Sequence, residues 1–399
     1  MRGAIDFCDP AVYDDPWETY RWLRAEAPLY YDEINDLWVV STYRDVFEIS
    51  RTPELYCSSK GVRPKLDVPL SLICEDDPEH TRKRRLINRG FTQRRVRELV
   101  PHIRELANEL IDEIEHRGEV DFVEEMAIHV PLIVIAEMLG LDPDTRMKLY
   151  RWSDAMMAGD GHTEPGDPVL ERAAQAFVEY NAMCAELIAE RRRTPTNDLI
   201  SVLTEKFDEG ELGEQSMGDD DLNLFLTVLV IAGNETTRNA ISGGLLALSE
   251  FPHERQRLVE SLADERFVDL AVDELIRWVS PVISFTRTVT WDHEFRDKRL
   301  KRGDRMLMLY QSANRDETVF DRADEVILDR DPNPHLAFGI GTHYCLGANL
   351  ARAEVKTVFE ELFRRLPDIR MPDGGHRTRA ESSLVIALQH LPAVFTPAL

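Results

Sequence analysis

Cysteines are few in this chain, and they form no pattern. The five are Cys8, Cys57, Cys74, Cys184 and Cys345, an odd number, and no CxxC pair or zinc-finger spacing occurs among them. A disulfide framework and a structural zinc site are therefore both excluded. Unpaired cysteines are typical of a reducing cytoplasm, which is where we expect the protein to work.

Long apolar segments are also missing. The most apolar run, residues 222–233, is too short to cross a bilayer and follows three aspartates. Residues 1–20 mix Asp, Glu and Pro with apolar residues and contain neither the basic section nor the apolar section of a signal peptide. We therefore expect no membrane anchor, and we interpret residues 222–233 as part of a buried helix.

Positive charge is scarce in most of the chain. The 48 Lys and Arg residues against 73 Asp and Glu residues give a net charge of −25. Such a charge disfavours nucleic acid and anionic membranes as partners. The exception is segment 80–97, which contains eight Lys and Arg residues and no Asp or Glu. This segment is the candidate contact for an acidic partner.

Helical periodicity dominates the pattern of apolar residues. It occurs in eight segments: 17–25, 94–116, 132–139, 170–192, 219–250, 253–262, 269–278 and 346–365. Strand-like patterns are shorter and occupy residues 37–42, 284–290, 305–309, 384–388 and 394–396. Segments 58–78 and 159–168 are rich in Pro or Gly and are predicted loops. No linker composition divides the chain, so we predict one domain, residues 1–399, of mainly α class with small β-sheets.

Cys345 lies in an unusual setting among the cysteines. Residues 338–347 read Phe-Gly-Ile-Gly-Thr-His-Tyr-Cys-Leu-Gly, and a helical pattern begins directly afterwards. Glycines permit tight turns and a close approach of the backbone to a flat ligand. The thiol then lies at a helix N-terminus, where free N–H groups and the helix dipole favour a thiolate that can bind a metal. An ordinary buried cysteine in a glycine-rich turn is the alternative.

This loop resembles the haem-binding signature of the cytochrome P450 family, and the resemblance covers essentially the whole chain. The signature residues are Phe338, Gly341, Cys345 and Gly347 at the spacing of the family. The resemblance implies the cytochrome P450 fold, a triangular prism in which haem b lies between distal and proximal helices. It also implies that Cys345 is the axial thiolate ligand of the iron, with Phe338, Gly339 and Gly347 against the haem.

A second motif lies inside the longest predicted helix, where residues 232–237 read Ala-Gly-Asn-Glu-Thr-Thr. A Thr hydroxyl inside a helix can bond the carbonyl four residues back and bend the helix, and Thr236 has that spacing to Ala232. The oxygen-activation motif of the family is similar. It implies that Glu235 is the acid and Thr236 the alcohol that deliver protons, with Ala232 against the haem. A turn at a helix end is the alternative, which the apolar residues on both sides disfavour.

Glu274 and Arg277 form an ExxR pair on one face of a predicted helix, a spacing that is common on solvated helices. Members of the cytochrome P450 family join such a pair to a later arginine. The best match is Arg330, fifteen residues before Cys345. The resemblance therefore implies a partly buried network that braces the cysteine loop.

Four basic side chains match the positions at which the family holds the two haem propionates. They are His80, Arg84, Arg287 and His343. The first two are four residues apart on one face of a predicted helix, and charge-assisted hydrogen bonds from Arg and His suit carboxylates. A cation on the protein surface is the alternative for each residue taken alone.

Ten residues are expected to face the haem from the positions that line the pocket in this family. They are Val62, Leu70, Leu72, Ile73, Val228, Ile231, Ala232, Val282, Ile283 and Leu384. All are apolar, which favours a hydrophobic substrate. Simple packing in the core is the alternative for several of them.

Seven stretches are similar to the actinobacterial family members that oxidise the terminal side-chain carbon, C26 or C27, of cholesterol and cholest-4-en-3-one. They are residues 41–43, 53–55, 61–64, 232–238, 242–244, 332–338 and 394–397. Segment 159–168 is not a close match. A fatty acid, a terpenoid or another steroid position therefore remains open as the substrate.

The resemblance implies a monooxygenase that inserts one atom of O2 into an unactivated C–H bond. The chain has no flavin or iron–sulfur motif, so electrons from NAD(P)H have to arrive through a reductase and a ferredoxin. The expected docking residues for an acidic ferredoxin are Arg82, Lys83, Arg85 and Arg89. A non-catalytic haem sensor or a peroxide-driven peroxygenase has no need of Glu235 and Thr236, which disfavours both alternatives.

Overall fold

Helices account for most of the structure, a computed structural model that describes residues 4–64, 70–159, 166–208 and 218–398. The α-helices in these ranges are α1 (Trp17–Glu26), α2 (Tyr43–Arg51), α3 (Glu79–Ile87), α4 (Gln93–Ile114), α5 (His129–Met138), α6 (Pro143–Ala158), α7 (Pro168–Arg193), α8 (Leu199–Asp208), α9 (Asp219–Glu250), α10 (Pro252–Glu260), α11 (Glu265–Val279), α12 (Tyr310–Ala313) and α13 (Ala348–Arg365). Short helical turns accompany them at Pro10–Tyr13, Asn88–Phe91, Val123–Ala127 and Gly341–His343.

The strands are short and form small sheets. They are β1 (Leu29–Asp32), β2 (Leu37–Val40), β3 (Tyr56–Cys57), β4 (Glu119–Asp121), β5 (Ser284–Val289), β6 (His293–Phe295), β7 (Lys298–Leu300), β8 (Arg305–Leu309), β9 (Thr378–Arg379), β10 (Leu388–His390) and β11 (Pro392–Val394). One sheet has five strands in the order β1-β2-β8-β5-β3, and its β2–β8 pair is parallel. The remaining strands pair two by two. This architecture confirms the predicted class, mainly α with small β-sheets.

The central helix is α9, and its sequence explains its start and its burial. Asp219, Asp220 and Asp221 occupy its first turn, where carboxylates interact favourably with the helix dipole. Buried residues surround the helix because α5, α6, α7, α11 and α13 all pack against it. Gly244 permits the close approach of α13, since a Cβ atom there would lie 2.7 Å from Cζ of Phe359. The predicted buried helix at residues 222–233 is therefore the first part of α9.

The eight predicted helical segments all lie on helices of the structure. The prediction for residues 219–250 matches α9, whereas the one for 346–365 begins two residues before α13. The periodicity does not predict α2, which is short and starts where the Thr42 hydroxyl accepts a hydrogen bond from the Asp45 N–H group. Long segments with strong periodicity are thus the ones that the sequence predicts best.

Two predicted strands near the end of the chain are wrong. Residues 384–387 contain one isolated bridge, between Val385 and Val282, and β10 begins only at Leu388. Ala387 has a φ of 53°, a left-handed conformation that interrupts an extended strand. The strand predicted at residues 394–396 is instead Pro392–Val394, and Thr396 beyond it donates to the Asp368 carboxylate.

The two predicted loops are described only in part. Predicted loop 58–78 has no helix or strand in its described residues, and residues 65–69 lie outside them. Residues 160–165 of predicted loop 159–168 also lie outside the described residues. The flanking Gly159 is the C-cap of α6, and Pro168 is the first residue of α7.

A buried charged network connects α11 to the chain that leads to Cys345. Glu274 accepts hydrogen bonds from Arg277 Nε at 2.7 Å and from Arg330 Nε at 3.0 Å, and it also accepts the Ile327 N–H group. Arg277 uses its remaining donors on three backbone carbonyls, one of them that of Asn314. Glu274 and Arg277 have no exposed side-chain surface. The structure therefore brings together the three residues that the sequence predicts as a brace.

We predict that Arg277→Met destabilises the protein by about 3–5 kcal/mol, because it leaves the Glu274 carboxylate buried without its main partner. The free energy of unfolding in urea measures this effect. The matched control is Arg266→Met, which removes an ion pair with Asp331 whose side chains are 81% and 55% exposed. Its effect should stay within about 0.5 kcal/mol. Equal effects of the two substitutions would show that the buried network contributes nothing beyond a surface pair.

Candidate haem-binding and active site

A cavity lies between α9, the strand β5 and the loop that precedes α13. It contains about 1620 Å³ of empty space, including its solvent-open mouth. Its wall is mostly apolar and includes Cys345, Thr236, Arg84 and Arg287. The cysteine loop, the central helix α9 and two of the predicted basic residues therefore surround one cavity.

The cysteine loop reaches this cavity through a tight backbone path. Gly341 has a φ of 76°, and a Cβ atom there would lie 2.7 Å from the carbonyl oxygen of Ser50, so no side chain fits. The Cys345 N–H group donates to the Phe338 carbonyl at 2.8 Å, which closes the loop. The thiol thus lies just before the first turn of α13.

Opposing influences act on the Cys345 thiol. Desolvation raises its pKa, whereas the Gly347 N–H group and the charges of Arg84 and Arg352 lower it. Arg352 also lies 4.5 Å from the ring centre of Phe338 and donates to Asp273 at 2.7 Å. A bound metal removes the proton from such a thiol outright. Desolvation is the largest of these influences and the pKa of the thiol is raised overall, so a thiolate at this position would need a metal to hold it.

All four predicted propionate ligands line the cavity: His80, Arg84, Arg287 and His343. The rings of His80 and His343 are 4.2 Å apart. Burial and, after it, the neighbouring Arg287, His80 and Arg84 together lower the pKa of His343 to about 2. Nδ1 of His80 is buried without a hydrogen-bond partner. This concentration of donors and positive charge fits a ligand with carboxylates.

Arg84 also has a contact that the sequence does not predict. Its guanidinium donates to the carbonyl oxygens of Thr342 and Tyr344, the second of which directly precedes Cys345. Arg84 therefore connects α3 to the cysteine loop as well as facing the cavity.

The predicted acid and alcohol lie on different sides of α9. The Thr236 hydroxyl donates to the Ala232 carbonyl at 2.6 Å, the predicted spacing, and both residues line the cavity. Glu235 is 2% exposed and does not line the cavity; its carboxylate accepts a hydrogen bond from Arg238. Burial raises the pKa of Glu235 to about 7, with Arg238 lowering it and Asp154 raising it. The carboxyl group of Glu235 can therefore change its protonation state near neutral pH, although unlike Thr236 it does not line the cavity.

Five of the ten predicted pocket residues line the cavity: Leu72, Ile73, Val228, Ala232 and Val282. The other five do not: Val62, Leu70, Ile231, Ile283 and Leu384. The prediction for Ile283 is wrong because its side chain packs into the core cluster that contains Phe7 and Leu309. Val62 is 1% exposed, and its carbonyl accepts the Thr286 N–H group, so it belongs to the sheet region.

The cavity wall contains further residues that the sequence does not predict. Phe285 lies two residues before Arg287 on β5, so strand alternation could have identified it. Leu229 is the neighbour of Val228 on α9. Thr237 and Glu354 are polar members of the wall, on α9 and α13. No motif spacing in the sequence connects these last two residues.

The predicted docking residues for a ferredoxin differ in their exposure. Lys83 does not fit this role, because it is 8% exposed and its Nζ donates to Glu75 at 2.7 Å and Asp221 at 3.1 Å. Arg82 pairs with Glu79, and Arg85 is exposed. The side chain of Arg89 lies outside the described residues.

These features together fit a haem. The cavity offers a cysteine ligand at a helix start, basic donors for two propionates and apolar walls for the ring. The unpartnered Nδ1 of buried His80 and the strongly lowered pKa of His343 indicate that an anionic group belongs beside them. The fold and the site thus define a haem-thiolate protein.

Comparison with known proteins identifies the family. The family model "Cytochrome P450" matches residues 166–396. A steroid C26-monooxygenase of Mycolicibacterium smegmatis is 38% identical over 99% of this chain and 97% of its own length. A steroid C26-monooxygenase of Rhodococcus jostii is 36% identical over 95% of this chain and 83% of its own length. The chain belongs to the cytochrome P450 family.

Solved structures agree with this result. A Mycobacterium marinum cytochrome P450 in complex with pseudoionone has a TM-score of 0.88 at 33% identity and covers 99% of both chains. CYP109E1 from Bacillus megaterium in complex with testosterone has a TM-score of 0.87 at 31% identity, over 96% of this chain and 99% of the other. The protein is a cytochrome P450 monooxygenase, its cofactor is haem b, and it takes electrons from a redox partner.

The helices of the described residues include none that could cross a membrane.

Proposed function

We propose that the protein hydroxylates the terminal side-chain carbon, C26 or C27, of a steroid such as cholesterol or cholest-4-en-3-one. The observation that carries this proposal is the match, over nearly the full length, to relatives named steroid C26-monooxygenase. The apolar cavity wall, with Leu72, Val228 and Phe285, supports a hydrophobic substrate. The overall reaction converts R–H, O2, two electrons and two protons to R–OH and water.

The residues divide this work by position. When bound, the haem supplies the oxidising chemistry that a C–H bond requires. We propose that Cys345 donates its thiolate to the iron, while His80, Arg84, Arg287 and His343 hold the propionates. Glu235 holds a proton near neutral pH because burial raises its pKa to about 7. Thr236 then passes a proton into the cavity, since it follows Glu235 in the chain and lines the cavity.

A terpenoid-like ketone is the second candidate substrate. The Mycobacterium marinum structure in complex with pseudoionone favours it, because that protein resembles this chain over its whole length. Both candidates are apolar molecules with one polar end, so the apolar cavity wall does not favour one substrate over the other.

We predict that cholest-4-en-3-one displaces water from the haem iron and shifts the Soret band of the purified protein to its high-spin position. Palmitic acid and pseudoionone, added at the same concentrations, should give weaker shifts. Mass spectrometry of the products should then locate the hydroxyl on the terminal side-chain carbon. A full shift with pseudoionone and none with the steroid would favour the terpenoid candidate instead.

Thr236→Ala should keep haem and substrate binding but lower the product formed per NAD(P)H by roughly tenfold to a hundredfold. The lost electrons should appear as hydrogen peroxide, because protons no longer arrive in the correct place. Thr227→Ala is the matched control: Thr227 lies on the same helix and makes the same type of bond, 3.1 Å to Asn223, outside the cavity wall. Full coupling in Thr236→Ala would contradict the proposed proton route.

We also propose that an acidic ferredoxin docks on the exposed side of α3. Arg84 of this helix bonds the Tyr344 carbonyl beside Cys345, so α3 is next to the cysteine loop. Arg85 is exposed on the helix, and Arg82 is partly neutralised by Glu79. Tyr344 itself is 38% exposed. A partner at this position would approach the iron from the thiolate side.

Arg85→Glu should lower the second-order rate of reduction by ferredoxin by about tenfold at low salt, and the difference should shrink as ionic strength rises. Stopped-flow measurement of haem reduction tests this. Arg172→Glu, a charge reversal of the same size at an exposed position on α7, should change the rate less than about twofold. Equal losses in both variants would indicate a general charge effect without docking on α3.

The protein is proposed to work in the cytoplasm. None of the five cysteines, all of which belong to the described residues, forms a disulfide. Free thiols persist in reducing compartments, which supports this location.

A further inference from the structure

A second pocket lies beside β5, outside the candidate haem site. It contains about 860 Å³ of empty space, including its open mouth. Side chains alternate between the two faces of a strand, and on β5 Arg287 lines the haem cavity whereas Thr288 lines this pocket. The lining residues that carry the argument are Cys57, Lys60, Thr288, Trp291, Arg302 and Arg305.

Thr288 is the buried polar residue of this pocket. Only 6% of it is exposed, and its Oγ1 atom has no hydrogen-bond partner among the described residues. In the sheet, Thr288 lies directly opposite Cys57 of β3 and Arg305 of β8, so the three side chains share one face. Buried hydroxyl groups nearly always have a partner. Thr288 therefore presents an unused hydroxyl group on the face that forms the pocket.

The neighbouring threonines show that this property is local. Thr286 and Thr290 lie two residues away on either side of Thr288, on the same face of the strand. The Thr286 hydroxyl accepts a hydrogen bond from Arg305 at 3.2 Å, and the Thr290 hydroxyl donates to the Glu54 carbonyl at 2.6 Å. Their hydroxyl groups are thus used by the fold, whereas that of Thr288 is not.

Positive charge surrounds the Thr288 hydroxyl. Lys60 and Arg302 are exposed, and neither forms an ion pair with a carboxylate in the part of the chain that the structure describes. Arg305 adds a third positive charge, although its guanidinium also donates to the Arg63 carbonyl. Three cations at one pocket are notable in a chain whose net charge is −25. The pocket therefore attracts anions.

The two carboxylates closest in sequence to this pocket are used elsewhere. Asp292 accepts the Arg302 N–H group at 3.0 Å and the Arg299 guanidinium at 3.4 Å. Asp304 accepts the Lys301 N–H group at 2.9 Å. Both carboxylates stabilise the backbone turns around β7, so they leave the side-chain charges of the pocket available.

Trp291 adds a flat apolar surface to the pocket. It is 64% exposed, and the Arg302 guanidinium lies 5.8 Å from its ring centre. An exposed indole beside cations can pack against an aromatic ring of a bound molecule. The pocket is also larger than a single small anion requires.

We propose that this pocket binds a phosphate group, either as free phosphate or as part of a nucleotide whose base packs on Trp291. A phosphate has several strongly accepting oxygens, so it can accept hydrogen bonds from Lys60, Arg302 and the Thr288 hydroxyl together. The pocket is separate from the haem cavity, so this inference goes beyond the monooxygenase function and does not depend on it.

Isothermal titration calorimetry of the holoprotein with inorganic phosphate and with ADP, at constant chloride concentration, tests the proposal. Lys60→Met and Arg302→Met should each lower the affinity for both probes by about tenfold, because each removes a charged donor. Lys298→Met is the matched control, since Lys298 is exposed on β7 outside the pocket wall, and its effect should stay below about twofold.

Three results would overturn the proposal. The first is that neither probe binds. The second is that binding is unchanged in Lys60→Met and Arg302→Met, which would place the anion elsewhere. The third is that Lys298→Met weakens binding as much as these two variants do, which would indicate a general attraction by charge.

Thr288→Val tests the buried hydroxyl with two readouts. Valine is close to threonine in shape and lacks the hydroxyl, so the affinity for phosphate should fall by about fivefold. The urea midpoint of the protein without phosphate should not fall, because the hydroxyl has no partner to lose. A lower midpoint with unchanged affinity would show that the hydroxyl serves the fold and would reject its role in binding.

Trp291→Ala distinguishes the two sources of the phosphate group. For a nucleotide, wild type should bind ADP more tightly than inorganic phosphate, and Trp291→Ala should remove this preference while leaving phosphate binding unchanged. Equal affinities for ADP and phosphate in wild type would identify free phosphate as the ligand. A preference for ADP that survives in Trp291→Ala would reject the packing of the base on Trp291.

Discussion

The rest of the site depends on how the chain around and before Cys345 is held, and arginine guanidinium groups hold it by donating to backbone carbonyls. Arg277 holds the carbonyl of Asn314 and those of two later residues, while Glu274 balances its charge. Arg84 holds the Tyr344 carbonyl next to Cys345. Planar groups with five donors can satisfy several carbonyls at once, which suits a chain segment without regular structure. These bonds fix the backbone on both sides of the position from which Cys345 would bind a metal.

The positive charges that face the cavity are not balanced by nearby carboxylates in the described part of the chain. Arg84 and Arg287 face it without an ion pair to any carboxylate in the described residues, although the chain as a whole has a charge of −25. Burial lowers the pKa of His343 most, and the neighbouring cations also disfavour its protonated form. A cofactor with two carboxylates would relieve this repulsion if its carboxylates lay beside these residues, and its binding would then stabilise the fold. The apolar remainder of the wall then favours an apolar substrate.

The sequence predicts features that depend on spacing along the chain and misses those that depend on packing. Local motifs predict the Cys345 loop, the Thr236–Ala232 bond and the Glu274–Arg277 pair. Periodicity of the apolar residues predicts the long helices. Exposure is a tertiary property, so the pattern could not indicate that Lys83 is buried or that Ile283 faces another core cluster. Glu354 and Thr237 come together only when α13 packs on α9, more than a hundred residues apart. The prediction of one domain stays a prediction.

Burial favours the protonated form of two acids near the cavity, Glu235 on α9 and Glu354 on α13. Burial raises the pKa of both Glu235 and Glu354, because an ionised carboxylate loses its water in each place. Arg238 partly offsets this for Glu235, whose pKa is about 7, whereas Glu354 has only Thr237 beside it and a pKa of about 8. The consecutive residues Thr236 and Thr237 both line the cavity. The two buried acids therefore differ because Arg238 lowers the pKa of Glu235, whereas burial alone raises that of Glu354.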